Sequence, residues 1–306
     1  MALKKKAQIF SLISIVILFL LFTSYELYSM FNEKISIKTR VKTMDSFVAS
    51  SEEDLERKLY ISGFRIIFLA EDSIMKSGNY IENFSLFFQE SIMNGSSNNT
   101  EILFGATLPE IVESIDENGR KMNIDIKLSD IQISVGQEDP WNVVIMMNYT
   151  LNVTDEANLA SWNKREYIKS YVPIKGFEDP VFLLKTSGKI SRKFNQTIFE
   201  GNYVSESDVS NLISHMENGY YSANPIAPSF INRLEGRFEA NENGIESLVD
   251  LDEVSKQGLS VKEKSVVDYI YFSSQNPISY NVLKMPSWFK IDEQHKNKYQ
   301  VGGLVS

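Results

Sequence analysis

Few residues in this chain have the types and spacing that catalysis or metal binding requires. Its 306 residues include no cysteine and only two histidines, His215 and His295. Neither histidine has a second metal-binding side chain at ligand spacing, so we expect surface or capping roles for both. The motifs of phosphate-binding loops, dinucleotide sites, hydrolase nucleophile elbows and zinc proteases are absent. The sequence therefore predicts no catalytic residue, no cofactor, no metal ligand and no enzymatic activity.

Two acidic groups are the remaining candidates for chemistry. Asp250, Asp252 and Glu253 offer three carboxylates to Ca²⁺, but they lack the glycine turn and spaced ligands of a calcium loop, so we interpret them as a solvated turn. Glu178 and Asp179 precede Pro180, which holds Asp179 in an extended conformation. Turn formation explains this second group without catalysis.

Aromatic residues offer one candidate binding surface. Tyr220, Tyr221, Trp288 and Phe289 form two aromatic pairs that would make a platform for a sugar or a peptide if they were exposed. Aromatic residues at this density more often belong to a core.

Six N-x-S/T sequons predict N-glycosylation of an outward-facing domain. They begin at Asn83, Asn94, Asn98, Asn148, Asn152 and Asn195. Asn148 and Asn152 fall on the polar face of one predicted strand, where a glycan is sterically tolerated.

An uncharged apolar segment near the N-terminus predicts a membrane anchor. Residues 7–25 carry no charge, and as a helix they span about 28 Å, close to the hydrocarbon thickness of a bilayer. Lys4 to Lys6 precede the segment, and Glu26 and Glu33 follow it. By the positive-inside rule the N-terminus is cytoplasmic, residues 7–25 contact membrane lipid, and residues 26–306 are extracytoplasmic. A removed secretory signal is the alternative, although no small-x-small cleavage site follows the segment.

The start of the chain also resembles a known processing signal. Lys5-Lys6-Ala7-Gln8, followed by the apolar run from Ile9 to Phe22, resembles the class III signal of archaeal type IV pilins and related surface proteins. The resemblance implies cleavage after Ala7, with Lys6, Ala7 and Gln8 as processing residues and the apolar helix retained. Leu12 stands where a glutamate follows the cleavage site in pilins of the bacterial type, which argues against that type of assembly.

Stretches across the rest of the chain resemble uncharacterised archaeal membrane-anchored proteins. This likeness brings no known activity. The stretches are SSEEDLERKLYISGFR, GFEDPVF, APSFINRLEG, GIESLV and SVVDYIYF, which begin at Ser50, Gly176, Ala227, Gly244 and Ser265.

After the anchor, the sequence predicts a helical stalk over residues 26–76. No glycine precedes Gly63 and no proline precedes Pro109, so helix can continue from the membrane. Ser51 and Asp54 resemble a capping box, which leaves a helix break near residue 50 as an alternative. Apolar residues recur at a period near 3.5 and predict a packing seam, either against the protein's own body, which we favour, or against a second copy. The seam is Ile37, Val41, Met44, Val48, Leu55 and Leu59.

Beyond the stalk, the pattern predicts an α+β ectodomain with helices segregated from an antiparallel sheet of about five strands. We expect a helical segment over residues 77–118, with a helix from Tyr80 to Met93, a β body over 119–204, and a mixed C-terminal part over 205–306. The predicted strands are 121–135 with a bulge at Ser129-Asp130, 143–153, 165–174, 181–184 and 190–199, and later 266–273. The predicted C-terminal helices are 208–216, 228–238, 245–254 and 288–298.

The charge balance limits the partners. Three of the 31 basic residues precede the anchor, while 40 acidic residues are present, so the body is strongly acidic and nucleic acid is excluded as a partner. We expect a non-enzymatic, single-pass membrane-anchored surface protein, either a pilin-like subunit that self-associates or a monomeric binding module. An extracytoplasmic hydrolase is the third hypothesis. Enzymes that use catalytic carboxylates have no short sequence motif, so the absence of motifs does not argue against one.

Overall fold

The computed structural model describes residues 2–97, 100–101, 103 and 105–305, and for residues 2–11, 96–97 and 100–101 the backbone alone. Within this part of the chain the fold is α+β. The helices, numbered in chain order, are α1 Ala2–Ser77, α2 Phe84–Asn94, α3 Leu108–Lys121, α4 Pro180–Lys185, α5 Ser210–Glu217, α6 Phe230–Leu234, α7 Leu251–Lys256 and α8 Asp268–Phe272. The strands are β1 Ser96–Ser97, β2 Thr100–Glu101, β3 Ile124–Asp139, β4 Asn142–Asp155, β5 Ser161–Pro173, β6 Tyr221–Ala223, β7 Ile245–Ser247, β8 Ser279–Asn281 and β9 Lys290–Asp292.

Helix α1 runs without a break for 76 residues. It passes through Ser51 and Asp54, so the alternative of a fresh helix starting there is wrong. The helix ends at Gly78, whose φ of 66° is left-handed and whose N–H donates to the carbonyl of Ile74 at 2.9 Å. A glycine in this conformation is the usual way to stop a helix, because it satisfies a carbonyl of the last turn at no steric cost.

The first described part of α1 exposes all its large apolar side chains. From Leu12 to Ile35 every one of them is exposed, including Phe22 and Phe31. This helix is long and apolar enough to cross a membrane, and none of its most apolar stretch is buried in the protein. This stretch is therefore not the core helix of a soluble protein. A signal sequence, however, has the same length and composition.

The chain divides into two units by contact density. The first comprises 1–54, 114–129 and 150–165, and the second 55–113, 130–149 and 166–306. In the first unit Arg40 of α1 donates from Nε to Asp155 Oδ1 at 2.6 Å and from Nη2 to the carbonyls of Met122 and Asn123, at 2.8 Å each. Asp155 also accepts N–H groups of the turn that follows it. The ion pair therefore holds α1 and the end of β4 together.

In the second unit α1 packs directly on strands β4 and β5. A Cβ added to Gly63 would lie 2.1 Å from Ile145 Cδ1 and 3.1 Å from Val172 Cγ2. Ser170 Oγ on β5 donates to the carbonyl of Glu56 at 3.1 Å. Because Gly63 has no side chain, the helix backbone approaches the sheet more closely than any other residue would allow.

The seam residues of α1 differ in burial along the helix. Met44 and Val48 are buried in the first unit, and Leu55 and Leu59 in the second. Ile37 and Val41 are half-buried. The chain itself therefore covers most of this stripe.

The main sheet has three strands in the order β3-β4-β5, joined as an antiparallel meander. Along β4 the predicted alternation is present, with Ile145, Met147 and Tyr149 buried and Asn148 exposed between them. Asp130 interrupts β3 with a positive φ of 52°, at the place where the pattern changes phase. A left-handed residue inside a strand shifts which face the following side chains occupy.

The predicted fourth and fifth strands of this sheet are wrong. Residues 181–184 lie in helix α4, because Asp179 caps its first turn and Pro180 occupies the first helical position. Residues 190–199 contribute only isolated bridges, from Lys193 to Glu178 and from Gln196 to Tyr221. The sheet is therefore smaller than the pattern indicates.

The C-terminal elements are also shorter than predicted, and three differ in type over all or part of their length. The predicted strand 266–273 contains helix α8, and the predicted helix 288–298 begins with strand β9, paired with β8, and continues in turns. The predicted helix 245–254 starts as strand β7, paired with β6. Residues 265–272 are buried throughout, so they show no alternation, and a short apolar run of this kind does not distinguish strand from helix.

Candidate binding site

A cavity of about 650 Å³ opens in the second unit between α1 and the segment 175–193. Phe64, Phe68 and Glu71 of α1 line one wall, and Phe177 and Glu178 line the facing wall. The volume falls within the range of small-molecule sites in proteins, and such sites are mostly apolar with a few polar groups. This cavity is therefore a candidate binding site within the described part of the chain.

The facing wall is a short two-stranded ribbon. Gly176 N–H donates to the carbonyl of Phe194 at 2.9 Å, Phe194 N–H donates back to Phe177 at 2.9 Å, and Asp179 N–H donates to Arg192 at 2.6 Å. Gly176 has a φ of 91°, a backbone conformation that residues other than glycine rarely adopt. This conformation turns the chain into the ribbon. The predicted strand 190–199 thus contributes its pairing here instead of to the main sheet.

Glu71 is the polar group that distinguishes the cavity. Its side chain is 9% exposed, and its Oε1 has no hydrogen-bond partner. Burial raises the pKa of Glu71 to about 8, against a hydrogen bond from the backbone of Glu178 that lowers it. The negative charges of Glu178 and Asp179 raise this pKa further, and Lys193 lowers it. At neutral pH the carboxyl is therefore mostly protonated, and it offers both a donor and an acceptor.

Other charges around the cavity are engaged or exposed. Lys193 Nζ lies 4.0 Å from Glu178 Oε1, and Asp72 pairs with Lys76 at 2.7 Å one helical turn on. Lys175 lies on the exposed rim. With Glu71 protonated, Lys175 and Lys193 balance Asp72 and Glu178, and an ionised Glu71 would make the lining net negative.

A buried ion cluster supports the wall that carries Glu178. Arg233 donates from Nη1 to Asp179 Oδ2 at 2.7 Å and from Nη2 to Asp268 Oδ2 at 2.9 Å, with all three side chains fully buried. Tyr221 Oη donates to Asp179 Oδ2 at 2.7 Å. Burial alone would lower the pKa of Arg233, but the charges of Asp268 and Asp179 raise it. Burial raises the pKa of Asp268 to about 6, against Arg233. We call Arg233, Asp179 and Asp268 the arginine cluster.

A second buried cluster surrounds His295. Its Nε2 lies 3.1 Å from Glu246 Oε2, and its Nδ1 lies 2.7 Å from Asp292 Oδ1. Burial would lower the pKa of His295, but the charge of Glu246 and the hydrogen bond with Asp292 raise it to about 10, so the ring is an imidazolium at neutral pH. Tyr299 Oη donates to Glu246 Oε1 at 2.9 Å and Ser265 Oγ to Asp292 Oδ2 at 2.6 Å. We call His295, Glu246 and Asp292 the histidine cluster.

Both clusters are built for stability. Every carboxylate in them accepts several hydrogen bonds from within the protein, as buried charges require. No group of three or more His, Asp or Glu side chains with a geometry fit for a metal occurs among the described residues. The arginine cluster fixes Asp179, and through it the adjacent Glu178 at the cavity wall.

The expectation of surface or capping roles for the two histidines is wrong. His215 and His295 are both completely buried. Burial lowers the pKa of His215 to about 4, so this ring is neutral, with Nδ1 3.0 Å from Thr197 Oγ1. Sequence spacing reports local neighbours, whereas the partners of His295 include Glu246, 49 positions earlier.

The acidic and aromatic candidates have structural places. Asp250 caps α7 by accepting the N–H groups of Asp252 and Glu253, which agrees with a turn and not with an ion site. Tyr221 and Phe289 are fully buried, so the aromatic pairs form no exposed platform.

Most of the predicted glycosylation positions lie on the surface. Glycosylation stays a prediction for all of them. Asn83, Asn94, Asn148 and Asn195 are exposed, Asn152 is half-buried, and Asn98 lies outside the described residues. The backbone of Lys6, Ala7 and Gln8 belongs to α1, and their side chains lie outside the described residues.

Comparisons with protein-family models, curated proteins and solved structures find no match to this chain.

Sequence reasoning missed Glu71, although a signal for it exists. Glu71 lies four residues after Ile67 and three before Ile74, and both isoleucines are completely buried. A carboxyl at that spacing falls on the apolar face of a helix, where an acid is costly unless it has a role.

Proposed function

We propose that this chain is a non-enzymatic, single-pass membrane-anchored surface protein whose body is a ligand-binding module. The membrane anchor is supported by helix α1, which is a single unbroken helix. Its large apolar side chains over residues 12–35 are exposed, and the helix is unbroken from Ala2 to Ser77. The three lysines at Lys4 to Lys6 favour a cytoplasmic N-terminus and an extracytoplasmic body.

The cavity beside Glu71 favours a binding module. A surface subunit that acts only through packing has no need of a cavity of about 650 Å³ with a buried, unpaired carboxyl oxygen. A buried polar atom without a partner is costly, and beside this cavity a donor group of a ligand could supply the missing hydrogen bond.

A filament subunit is the second candidate. Residues 12–35 form about 36 Å of helix, which is longer than the hydrocarbon layer of about 30 Å. Tyr28, Phe31 and Ile35 remain exposed beyond the predicted span of residues 7–25. If the chain assembles into a filament, as the pilin-like signal implies, these side chains would pack on neighbouring copies of the chain.

The absence of cysteine makes a clean test of topology possible. A Ser274→Cys variant places one thiol on an exposed position of the body. Treated with a membrane-impermeant maleimide, intact cells are expected to label this thiol as fully as lysed cells do. Labelling that requires lysis would place the body in the cytoplasm and overturn the proposal.

The mass of the protein from its native membrane distinguishes the forms of anchor. A start at Gln8 supports pilin-type processing, a start at residue 1 or 2 supports a plain anchor, and a start beyond residue 24 indicates a released protein. Disulfide-linked dimers of a Tyr28→Cys variant in the membrane, without dimers of Ser274→Cys, would support the filament candidate.

A further inference from the structure

The buried oxygen of Glu71 gives the cavity a chemical preference. Glu71 Oε1 has no protein partner, yet its side chain is more than nine-tenths buried and lines the cavity. We propose, resting on the binding module above, that the cavity binds a ligand that presents a primary ammonium group, carried on an apolar stem, to Glu71.

The charge around Glu71 favours a cation. On α1 Asp72 lines the same cavity, and on the facing segment Glu178 and Asp179 act on Glu71 with the same negative sign. Of the four lysines of that segment, only Lys175 on the rim and Lys193, which pairs with Glu178, line the cavity. An ammonium ion in the cavity would bring the nearest opposite charge, and an opposite charge within a few ångströms restores the ionised form of a buried carboxyl.

The geometry of the acceptor favours ammonium over guanidinium. The backbone of Glu178 donates to the Glu71 carboxylate, and Oε1 is the oxygen without a partner. A guanidinium is best held by two parallel hydrogen bonds to both oxygens, whereas an ammonium acts as a point charge and needs one.

The aromatic walls suit the rest of such a ligand. Phe64 and Phe177 lie with ring centroids 5.0 Å apart, and Phe68 contributes a third ring. Aromatic faces attract ammonium ions and also cover apolar stems. The cavity volume of about 650 Å³ accommodates a stem of several carbons or one aromatic ring.

Binding is therefore coupled to proton release. Glu71, whose pKa is about 8, is mostly protonated at pH 7 and becomes ionised beside an ammonium group. Up to about one proton should leave per ligand bound at pH 7. A neutral ligand would release none.

Calorimetry of the full-length protein in lipid nanodiscs tests the proposal. The probes are 2-phenylethylamine, the matched alcohol 2-phenylethanol and the matched acid 3-phenylpropanoic acid, each titrated at pH 7 in phosphate and in MOPS, neither of which carries a primary amine. We expect the amine to bind about 10- to 100-fold more tightly than the alcohol. The binding enthalpy of the amine should also differ between the two buffers, because each buffer takes up the released proton with its own heat of ionisation. Tighter binding of the acid, no binding of the amine, or binding without proton release would overturn the proposal.

Variants locate the effect at Glu71. Glu71→Gln keeps the shape but removes the charge, and it should lose the preference for the amine and the proton release while the alcohol binds as before. Glu82→Gln changes an exposed acid outside the cavity and should preserve both properties. Phe68→Ala, at a side chain 52% exposed, should weaken amine and alcohol alike without affecting folding. Equal amine binding by wild type and Glu71→Gln would exclude Glu71 as the recognition group.

Two sources of ammonium remain to be separated, a free amine and the side chain of a lysine. An acetylated hexapeptide with one central lysine, compared with the same peptide carrying norleucine, decides between them. Tighter binding of the lysine peptide than of 2-phenylethylamine assigns a polypeptide ligand, and the reverse assigns a small amine. The thiol-labelling test of topology is independent, so a body found in the cytoplasm would remove the surface role and leave the amine site standing.

Discussion

Two buried carboxyl groups of this protein lie near one another yet have opposite environments. Asp179 belongs to the arginine cluster, where it accepts hydrogen bonds from Arg233, Tyr221 and the N–H of Val181. Glu71 faces the ribbon that contains Asp179, and it has an oxygen with no partner. Both side chains are almost inaccessible, so burial alone does not distinguish them.

The difference shows which buried charges stabilise the fold and which are available for binding. The arginine cluster brings its own countercharge, so the cost of burial is offset within the protein. Glu71 has no cation in hydrogen-bonding contact, and its raised pKa records the uncompensated cost. Changes in the cluster should therefore affect stability strongly, and changes at Glu71 should affect ligand binding and the pH dependence of stability.

Loss of Arg233 should have the largest effect. Arg233→Leu leaves Asp179 and Asp268 buried without their cation, and we expect the free energy of unfolding to fall by about 3 to 5 kcal/mol. Urea denaturation measures this change. Arg237→Leu is the matched control, because Arg237 is 53% exposed and pairs at the surface with Glu235. Similar losses in the two variants would contradict a special role for the cluster.

Loss of His295 should have the next largest effect, with a distinct pH dependence. The pKa of His295 is raised from its ordinary 6.5 to about 10, so its contribution to stability is complete below about pH 6.5 and is lost as the pH rises through 10. We expect His295→Gln to unfold with about 2 to 4 kcal/mol less free energy at pH 6, and with a smaller deficit at pH 10. Denaturation at both pH values measures it, and a deficit that grows with pH would contradict the imidazolium assignment.

The long local patterns of this fold follow from the sequence. A helix without glycine or proline up to Gly63 is one element, and the alternation of β4 fixes its buried face. Short elements do not follow in this way. Residues 181–184 are apolar and suit a strand, but the cap at Asp179 and the proline after it begin a helix. In such segments one capping hydrogen bond outweighs weak propensities.

The candidate site depends on contacts that no local pattern contains. Asp179 and Arg233 are 54 positions apart, and Arg233 and Asp268 are 35 apart. Glu71 lies more than a hundred positions before the ribbon it faces. Its place on an apolar helix face indicates burial, but the identity of the facing wall comes only from the folded chain.

Replacing Glu71 should reverse the sign of the effect on stability. The pKa of Glu71 is raised from an ordinary 4.5 to about 8, so wild-type stability is complete below about pH 4.5 and decreases as the pH rises through 8. Glu71→Gln lacks this decrease, and we expect it to be about 1 to 3 kcal/mol more stable than wild type at pH 9 and nearly equal at pH 4.5. Denaturation at the two pH values measures the difference, with Asp72→Asn as control. A variant less stable than wild type at pH 9 would indicate that Glu71 has a protein partner.

The smallest effect is expected at Gly63, where it tests whether the environment of Glu71 depends on how closely α1 approaches the sheet. Alanine there would place its Cβ 2.1 Å from Ile145 Cδ1, and Ile145 is completely buried, so helix or side chain must shift. We expect Gly63→Ala to lose about 1 to 2 kcal/mol, as overpacking of a core does. Gly136→Ala is the matched control, because the nearest atom to its added Cβ is Met146 Cε at 3.8 Å.

The same variant tests the environment of Glu71, which lies two turns further along α1. A shifted helix should admit water and move the pKa of Glu71 toward 4.5. The stability of Gly63→Ala should therefore depend less on pH between 5 and 9 than that of wild type. An unchanged pH dependence, with the stability loss present, would show that the burial of Glu71 is set by the ribbon and not by the contact of α1 with the sheet.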